Sequence, residues 1–449
     1  MATSYRAFLA ELYEEYLEEA SFLYEQRLGL LDDPEVTWRD IGEFEERFEA
    51  HVDGLVVGGK LALEVCRRRA AEGDFGELHA AVRVFCRQGR DDLLMEVLEQ
   101  LDPEDPEAHC AVGDALKLEL PEGLEDEICT CLAAGGPGAA FVLATVSGYR
   151  RLARAPDLLA LLAQAPGEAV RPVLWALGRC GQPSTAGPLV RYLLHEDPEV
   201  CSSAALSLLR LGEPSPLDYC LQRAPLDSWP QVALALGGGR KTAADLLEVV
   251  RAGSAPGPCL VALGVLGDAA GVHTLLDSLQ GEESAAAALG LYALTGAGLF
   301  EDVFVPEEVE EEELFEVELE RWQMGEAPGR GDGQSFGTTV RRLSQDASVW
   351  GAWWEENRSL FAQDTRYRCG RPCSAASLVE VLQAEDTPHL LRRLTAEELA
   401  TRYACPVPFE ADMVVPDQER AIAQLAEWAR GNGARFREGR WYFAGRELE

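Results

Sequence analysis

Arg47, His51 and Asp53 are the residues whose types and spacing come nearest to an acid–base device. His51 follows Arg47 by four positions, which on a helix sets both side chains on one face. A histidine base needs a nucleophile or a water oriented beside it. No serine or cysteine can be assigned that part, so the spacing reads as a structural histidine pinning the first helices. His51, His79, His109, His195, His273 and His389 show no metal-ligand spacing. Cys129-x-Cys131 and Cys369-x3-Cys373 are the close cysteine pairs, and neither is joined to a second pair at zinc-finger distance. Gly135-Gly136-Pro137-Gly138 and Gly237-Gly238-Gly239 follow helical runs, not the strand that a phosphate loop requires. The expectation is no catalytic residue, no metal and no cofactor.

The aromatic group Trp350, Trp353 and Trp354 is the other chemistry-bearing cluster, with Arg366, Tyr367 and Arg368 soon after it. The three tryptophans share a helical face. Trp, Tyr and Arg are the types favoured at interface hot spots. The same six residues also suit a terminal cap, because a repeat array needs its last apolar face covered. The two roles are compatible, and both are carried forward.

The elements that must position these residues follow from one repeated phrase, an apolar helical run closing on glycine. It recurs at Phe141–Gly148, Trp175–Gly181, Ala205–Gly212, Val232–Gly238, Leu260–Gly267 and Ala288–Gly296, with closing glycines 33, 31, 26, 29 and 29 residues apart. A period near thirty with two helical patterns per unit predicts an all-α solenoid of short HEAT-like helix pairs. The units read as Ala186–Leu194 with Val200–Leu211, Leu217–Arg223 with Gln231–Leu236, Thr242–Arg251 with Pro258–Leu266, and Val272–Leu279 with Ser284–Leu294. Residues 1–104 form a looser helical region, 105–299 the array, 300–337 an acidic and glycine-rich insertion or linker, and 338–449 a mostly helical C-terminal cap. Glu301–Glu320 holds eleven acidic residues and no basic one, interleaved with apolar residues; it reads as an insertion loop with a partly ordered acidic face. The Arg330-Gly331-Asp332 tripeptide is chance. Arg435–Phe443 reads as a small hairpin centred on Glu438-Gly439.

Composition narrows the class. The 449 residues carry a net charge of -37 at 47% apolar content, which supports a packed core and disfavours nucleic acid and anionic lipid as partners. No run is long and apolar enough to span a bilayer, and Met1–Leu12 lacks a signal-peptide layout. Cysteines such as Cys66, Cys86, Cys180, Cys201, Cys220 and Cys259 sit inside apolar helical phrases, as small buried residues of a reducing cytoplasm do. A cytoplasmic location is expected.

Several stretches together resemble a proteobacterial family of HEAT-repeat conserved hypothetical proteins. They are Ser21–Arg27, Glu46–Leu55 (with Arg47, His51, Asp53 and Gly54 as motif residues of structural type), Ala288–Gly296, Trp350–Trp354, Arg366–Pro372 and Leu391–Ala400. Glu45 departs from that pattern, where an aspartate is common. The resemblance implies a bacterial solenoid, with some members encoded near type VI secretion genes, and hence an accessory or adaptor role. The leading expectation is a non-enzymatic scaffold that takes a basic or mixed-charge protein partner along its inner curve. The alternative is a HEAT-like lyase acting on a tetrapyrrole-bearing protein, whose repeats are similar in period and which would colour the purified protein. A HEAT-like DNA glycosylase would need a basic cleft, and the charge opposes it.

Overall fold

Apolar residues spaced three and four apart become helix over most of the described chain. The computed structural model describes every residue except 1–4, 32, 34–35, 165–168, 254–255, 307–313, 315–318, 321, 323, 325–335 and 449. Helices α1 (Tyr5–Leu30) and α2 (Ile41–Val57) pack together, and helix pairs follow in which a first helix leads into a second. The pairs are α3 (Gly59–Glu72) with α4 (Phe75–Arg87), α5 (Asp91–Gln100) with α6 (Pro106–Glu119), α7 (Glu125–Ala134) with α8 (Pro137–Arg150), and α9 (Ala155–Gln164) with α10 (Val170–Cys180). They continue as α11 (Ala186–Leu189) with α12 (Pro198–Arg210), α13 (Pro216–Arg223) with α14 (Pro230–Gly237), α15 (Arg240–Arg251) with α16 (Gly257–Leu266), and α17 (Val272–Ser278) with α18 (Ser284–Thr295).

Local chemistry sets the helix starts. Asp74 accepts from the Glu77 N–H at 2.7 Å while the Glu77 carboxylate takes the Asp74 N–H at 3.2 Å, a capping box that opens α4. Pro106 and Pro198 stand in the first turns of α6 and α12 behind the capping carboxylates of Asp105 and Asp197. The fold is an all-α solenoid with short strand pairs.

The second helices, rich in Ala, Leu and Gly, pack one on the next from α4 to α18, whereas the first helices barely touch their neighbours. The array therefore curves with its second helices on the inner side. At the crossing of α16 and α18, a Cβ on Gly264 would lie 2.1 Å from the Gly290 carbonyl oxygen, so only glycine lets these helices approach this closely.

Beyond α18 come β1 (Phe300–Pro306) and β2 (Gly337–Leu343), which pair antiparallel with Phe300 opposite Leu343 and Pro306 opposite Gly337. The insertion thus opens and closes as a hairpin. Most of the acidic block and the Arg330–Asp332 tripeptide lie outside the described residues. Then follow α19 (Ala347–Asn357), β3 (Tyr367–Arg368) with β4 (Arg371–Pro372), α20 (Ala375–Gln383), α21 (His389–Tyr403), α22 (Val415–Asn432), and β5 (Tyr442–Phe443) with β6 (Arg446–Glu447). The terminal hairpin turns at Ala444-Gly445 and not at Glu438-Gly439, which is a correction. Gly439 has φ +70° and donates its N–H to Cys373 O at 2.9 Å, so that bend ties the chain back to the segment after β4. Gly148 is another correction: it lies inside α8 beneath Trp175, and left-handed Arg151 (φ 57°) ends the helix.

Most of the C-terminal elements lie on the inner curve, whereas α19 packs against the first helix α17. α21 packs against α12 and α14, β3 against α18, and α22 reaches α2 at the other end. One apolar core runs from α4 through α18 into Tyr367, Leu391, Leu394 and Phe443. The curve expected to receive a partner is filled by the chain's own residues.

Candidate functional site

The first candidate cluster does not assemble. Arg47 and Asp53 are exposed, and Asp53 accepts from Arg87 Nη1 at 2.8 Å, away from His51. The His51 ring sits edge-on to Tyr16 at 5.4 Å. Gly54 faces the same ring, where a Cβ would come within 2.6 Å of Tyr16 Cε2. These residues fit α1 to α2.

The tryptophans turn inward. Trp350 is buried and donates Nε1–H to Ser344 O at 2.6 Å. Trp354 is buried edge-on to His273 of α17, 6.4 Å between ring centres. Half-buried Trp353 meets Phe361, which packs in turn, with tilted rings, against Trp354 and Tyr367 at 5.2 and 4.8 Å between ring centres. Tyr367 thereby joins the tryptophans, and Arg366 and Arg368 go elsewhere.

Those two arginines enter a buried charge centre. Arg366, Arg368 and Arg402 all ion-pair with one carboxylate, Glu398, and all four side chains are at most 1% exposed. The spacing follows from the elements: Glu398 and Arg402 stand four apart on α21, while Arg366 and Arg368 flank Tyr367 at β3 on one face of extended chain. The centre also closes the array. Arg402 donates to Ala235 O at 2.5 Å and Gly238 O at 2.9 Å, at the end of α14. Arg366 donates to Val265 O at 3.1 Å and Leu266 O at 3.3 Å, at the end of α16, where Trp441 Nε1 adds a bond of 2.9 Å. The N–H groups of Cys369 and Gly370 reach Ala293 O and Leu294 O of α18, each at 2.9 Å. Carbonyls left without partners at a helix end are thus satisfied, and the guanidiniums face the negative pole of each helix.

The same contact gives Gly267 and Gly296 a second reason to be glycine. Both have positive φ, +75° and +67°, and a Cβ would meet Tyr367 O at 2.2 Å or the Cys369 backbone at 2.5 Å.

Earlier second helices meet the region through ion pairs. Lys117 at the end of α6 bonds Asp412 at 2.9 Å, and Arg151 after α8 bonds Glu410 at 2.7 Å. Arg179 of α10 bonds Glu410 at 2.8 Å and Glu397 at 2.7 Å, and Arg210 of α12 bonds Glu397 at 2.7 Å. Burial alone would raise the Glu410 carboxyl, but Arg179 and Arg151 outweigh it and hold it well below the usual range. Burial would lower Lys117, yet Asp412 and Asp114 leave it raised. Seven consecutive second helices, α6 to α18, therefore have their C-terminal ends met by residues 366–441.

Beside Lys117 lies a small cavity of about 30 Å³ lined by Tyr24, His79, Arg83 and Asp114 among others. The His79 ring stacks on Tyr24 at 4.0 Å, and Nδ1 is 3.1 Å from Ala111 O. Burial, helped by Arg83, pushes its pKa down to about 3. An unfolded histidine takes up its proton near pH 6.5, so between these values the unfolded state binds more protons than the native one. Stability should then fall by about 1.4 kcal/mol per pH unit as pH drops through this window. Urea unfolding measured from pH 6.5 to 5.5, where carboxylates contribute little, would show the loss in the parent, the slope steepening toward that limit as pH falls. His79→Phe should reduce it, with His109, also lowered by burial, leaving a remainder; an unchanged slope would overturn the assignment.

Sequence spacing missed Glu398, Arg402, Glu397, Glu410 and Asp412, whose partners, apart from the Glu398–Arg402 pair itself, stand 30 to 385 positions away. The one local signal was the Glu398–Arg402 step of four on a helix. Among the described residues no three His, Cys, Asp or Glu side chains converge as metal ligands would, and no helix is long and apolar enough to cross a membrane. Comparison of the chain with protein-family models, with curated proteins and with solved structures gives no match.

Proposed function

We propose that the protein is a non-enzymatic protein-binding scaffold and that its partner, basic or of mixed charge, docks on the outside of the array. The pair Leu194 and Leu226 carries this reading. Each stands four residues before the proline that opens a second helix, Pro198 or Pro230, so they occupy equivalent places in adjacent repeats. They are 72% and 73% exposed, with Val190 exposed nearby and Glu196, Asp197, Glu199 and Asp227 around them. Aligned apolar side chains within a rim of mixed charge, where Asp227 pairs with Arg223 and Glu199 with Arg171, suit a mixed-charge amphipathic surface. The filled inner curve supports placing recognition outside. The resemblance to HEAT-repeat conserved hypothetical proteins, some near type VI secretion genes, adds an accessory role in secretion to the proposal.

Leu194→Asp with Leu226→Asp should leave the thermal midpoint within a few degrees, since both side chains are exposed, and should weaken partner binding by tenfold or more, about 1.4 kcal/mol. Binding by the parent should also fall as salt rises. Affinity measured against the partner that co-purifies from bacterial cells checks both points. Equal affinity of parent and variant, or indifference to salt, would remove this surface from consideration. Recovery of secretion-apparatus proteins with the parent and not with the variant would support the accessory role.

A further inference from the structure

Three arginines at the ends of α8, α10 and α12 crowd around two carboxylates. Arg151 pairs with Glu410, Arg179 with both Glu410 and Glu397, and Arg210 with Glu397. One guanidinium charge is left in excess. Burial, with Arg210 and Arg179 adding to it, holds Arg151 below its ordinary range although Glu410 opposes them. Among the described residues, Arg210 uses only Nη1, on Glu397 at 2.7 Å, so Nε and Nη2 have no acceptor. Neither atom is sealed from solvent, in contrast to Nε and Nη1 of Arg368. Arg179 Nη1 and Arg151 Nε are likewise accessible and unmet.

All three arginines line one open cleft of about 690 Å³, between the ends of α10 and α12 and the chain from Ala400 to Val407. That is within the range of roughly 300–1,000 Å³ found for small-molecule sites. Leu209, Leu211 and Phe443 are buried along it and Val407 is half-buried, so apolar walls stand beside the guanidiniums. Among the described residues no Asp or Glu lines the cleft, whereas exposed Arg446 adds a fourth arginine.

We propose that this cleft binds a small organic carboxylate with an apolar body. The carboxylate accepts from Nε and Nη2 of Arg210, which form one edge of the guanidinium plane and present two parallel donors to two oxygens. Its single charge balances the excess of one, where a phosphate dianion would exceed it. The apolar body covers Leu209, Leu211, Val407 and Phe443, which an inorganic anion would leave wet. The site is separate from the outer surface around Leu194 and Leu226, and its test is independent of that reading.

Titration calorimetry of the full-length protein with hexanoate, acetate, hexanamide and inorganic phosphate, at constant ionic strength, tests this. Hexanoate should bind saturably, one per chain. Acetate should bind about tenfold more weakly or worse, because its shorter chain buries less apolar surface, and uncharged hexanamide should not bind. Arg210→Met should weaken hexanoate by about tenfold or more, as loss of the paired donors requires. That variant leaves two guanidiniums for two carboxylates, so its thermal midpoint should stay within a few degrees of the parent. Pro214→Trp serves as a second variant: it keeps every arginine, fills the cleft from an exposed position, and should weaken hexanoate likewise. No binding by any probe overturns the proposal. So does hexanamide binding as well as hexanoate, phosphate binding where hexanoate does not, or hexanoate affinity unchanged in either variant.

Discussion

Glu398→Gln should destabilise the protein by about 3–5 kcal/mol, the usual consequence of removing one partner of a buried ion pair. The change keeps side-chain size, so the loss is electrostatic. Three guanidiniums would remain in a dry interior with no carboxylate. Burial and the neighbouring Arg366 already depress Arg402 well below its ordinary range, which shows how little compensation the centre has to spare. Urea unfolding of the parent and the variant measures the loss. A change below about 1 kcal/mol would mean that Glu398 does not hold the centre. Arg402→Met in the Glu398→Gln background should recover part of the loss, because one of the three unpaired charges goes with it. The coupling between the two sites should exceed about 1 kcal/mol, as expected for residues in one network.

Gly296→Ala should cost about 3 kcal/mol, against about 1 kcal/mol for Gly89→Ala. Both glycines have positive φ, +67° and +60°, so an alanine pays a similar backbone penalty of about 1 kcal/mol at each. A Cβ at position 89 meets nothing within 4 Å, while at 296 it would lie 2.5 Å from the Cys369 carbonyl. The additional loss, about 2 kcal/mol, is displacement of the segment that caps α18. Paired thermal or urea unfolding isolates that difference. Equal losses would show that the C-terminal segment does not depend on the close approach.

Much of the helix pairing could be read from the chain itself. Pro198, Pro216 and Pro230 start helices as their lack of an N–H predicts. The units from Leu217 to Leu294 match α13–α18 to within a residue or two, because apolar spacing and turn chemistry are local. The roles of Gly148 and of the Glu438-Gly439 bend could not be read the same way. Each depends on what lies against it, Trp175 in one case and Cys373 in the other. The candidate site was legible in part: Arg366, Tyr367 and Arg368 stood out by type. Their shared carboxylate did not, because Glu398 lies 30 and 32 positions away among many acidic residues that spacing cannot tell apart.

The sequence by itself determined an all-α repeat array, its approximate period and an acidic exterior. Those properties need only the periodicity of apolar residues and the count of charges. Only the tertiary structure decided that the C-terminal region lies inside the curve and meets the ends of seven second helices, with its arginines against carbonyls and its carboxylates against Lys117, Arg151, Arg179 and Arg210. The physical reason is that helix-end carbonyls and buried charges require partners but do not specify where in the chain those partners come from. Packing selected them from segments up to 385 residues apart, and at Arg368 it left a guanidinium incompletely matched.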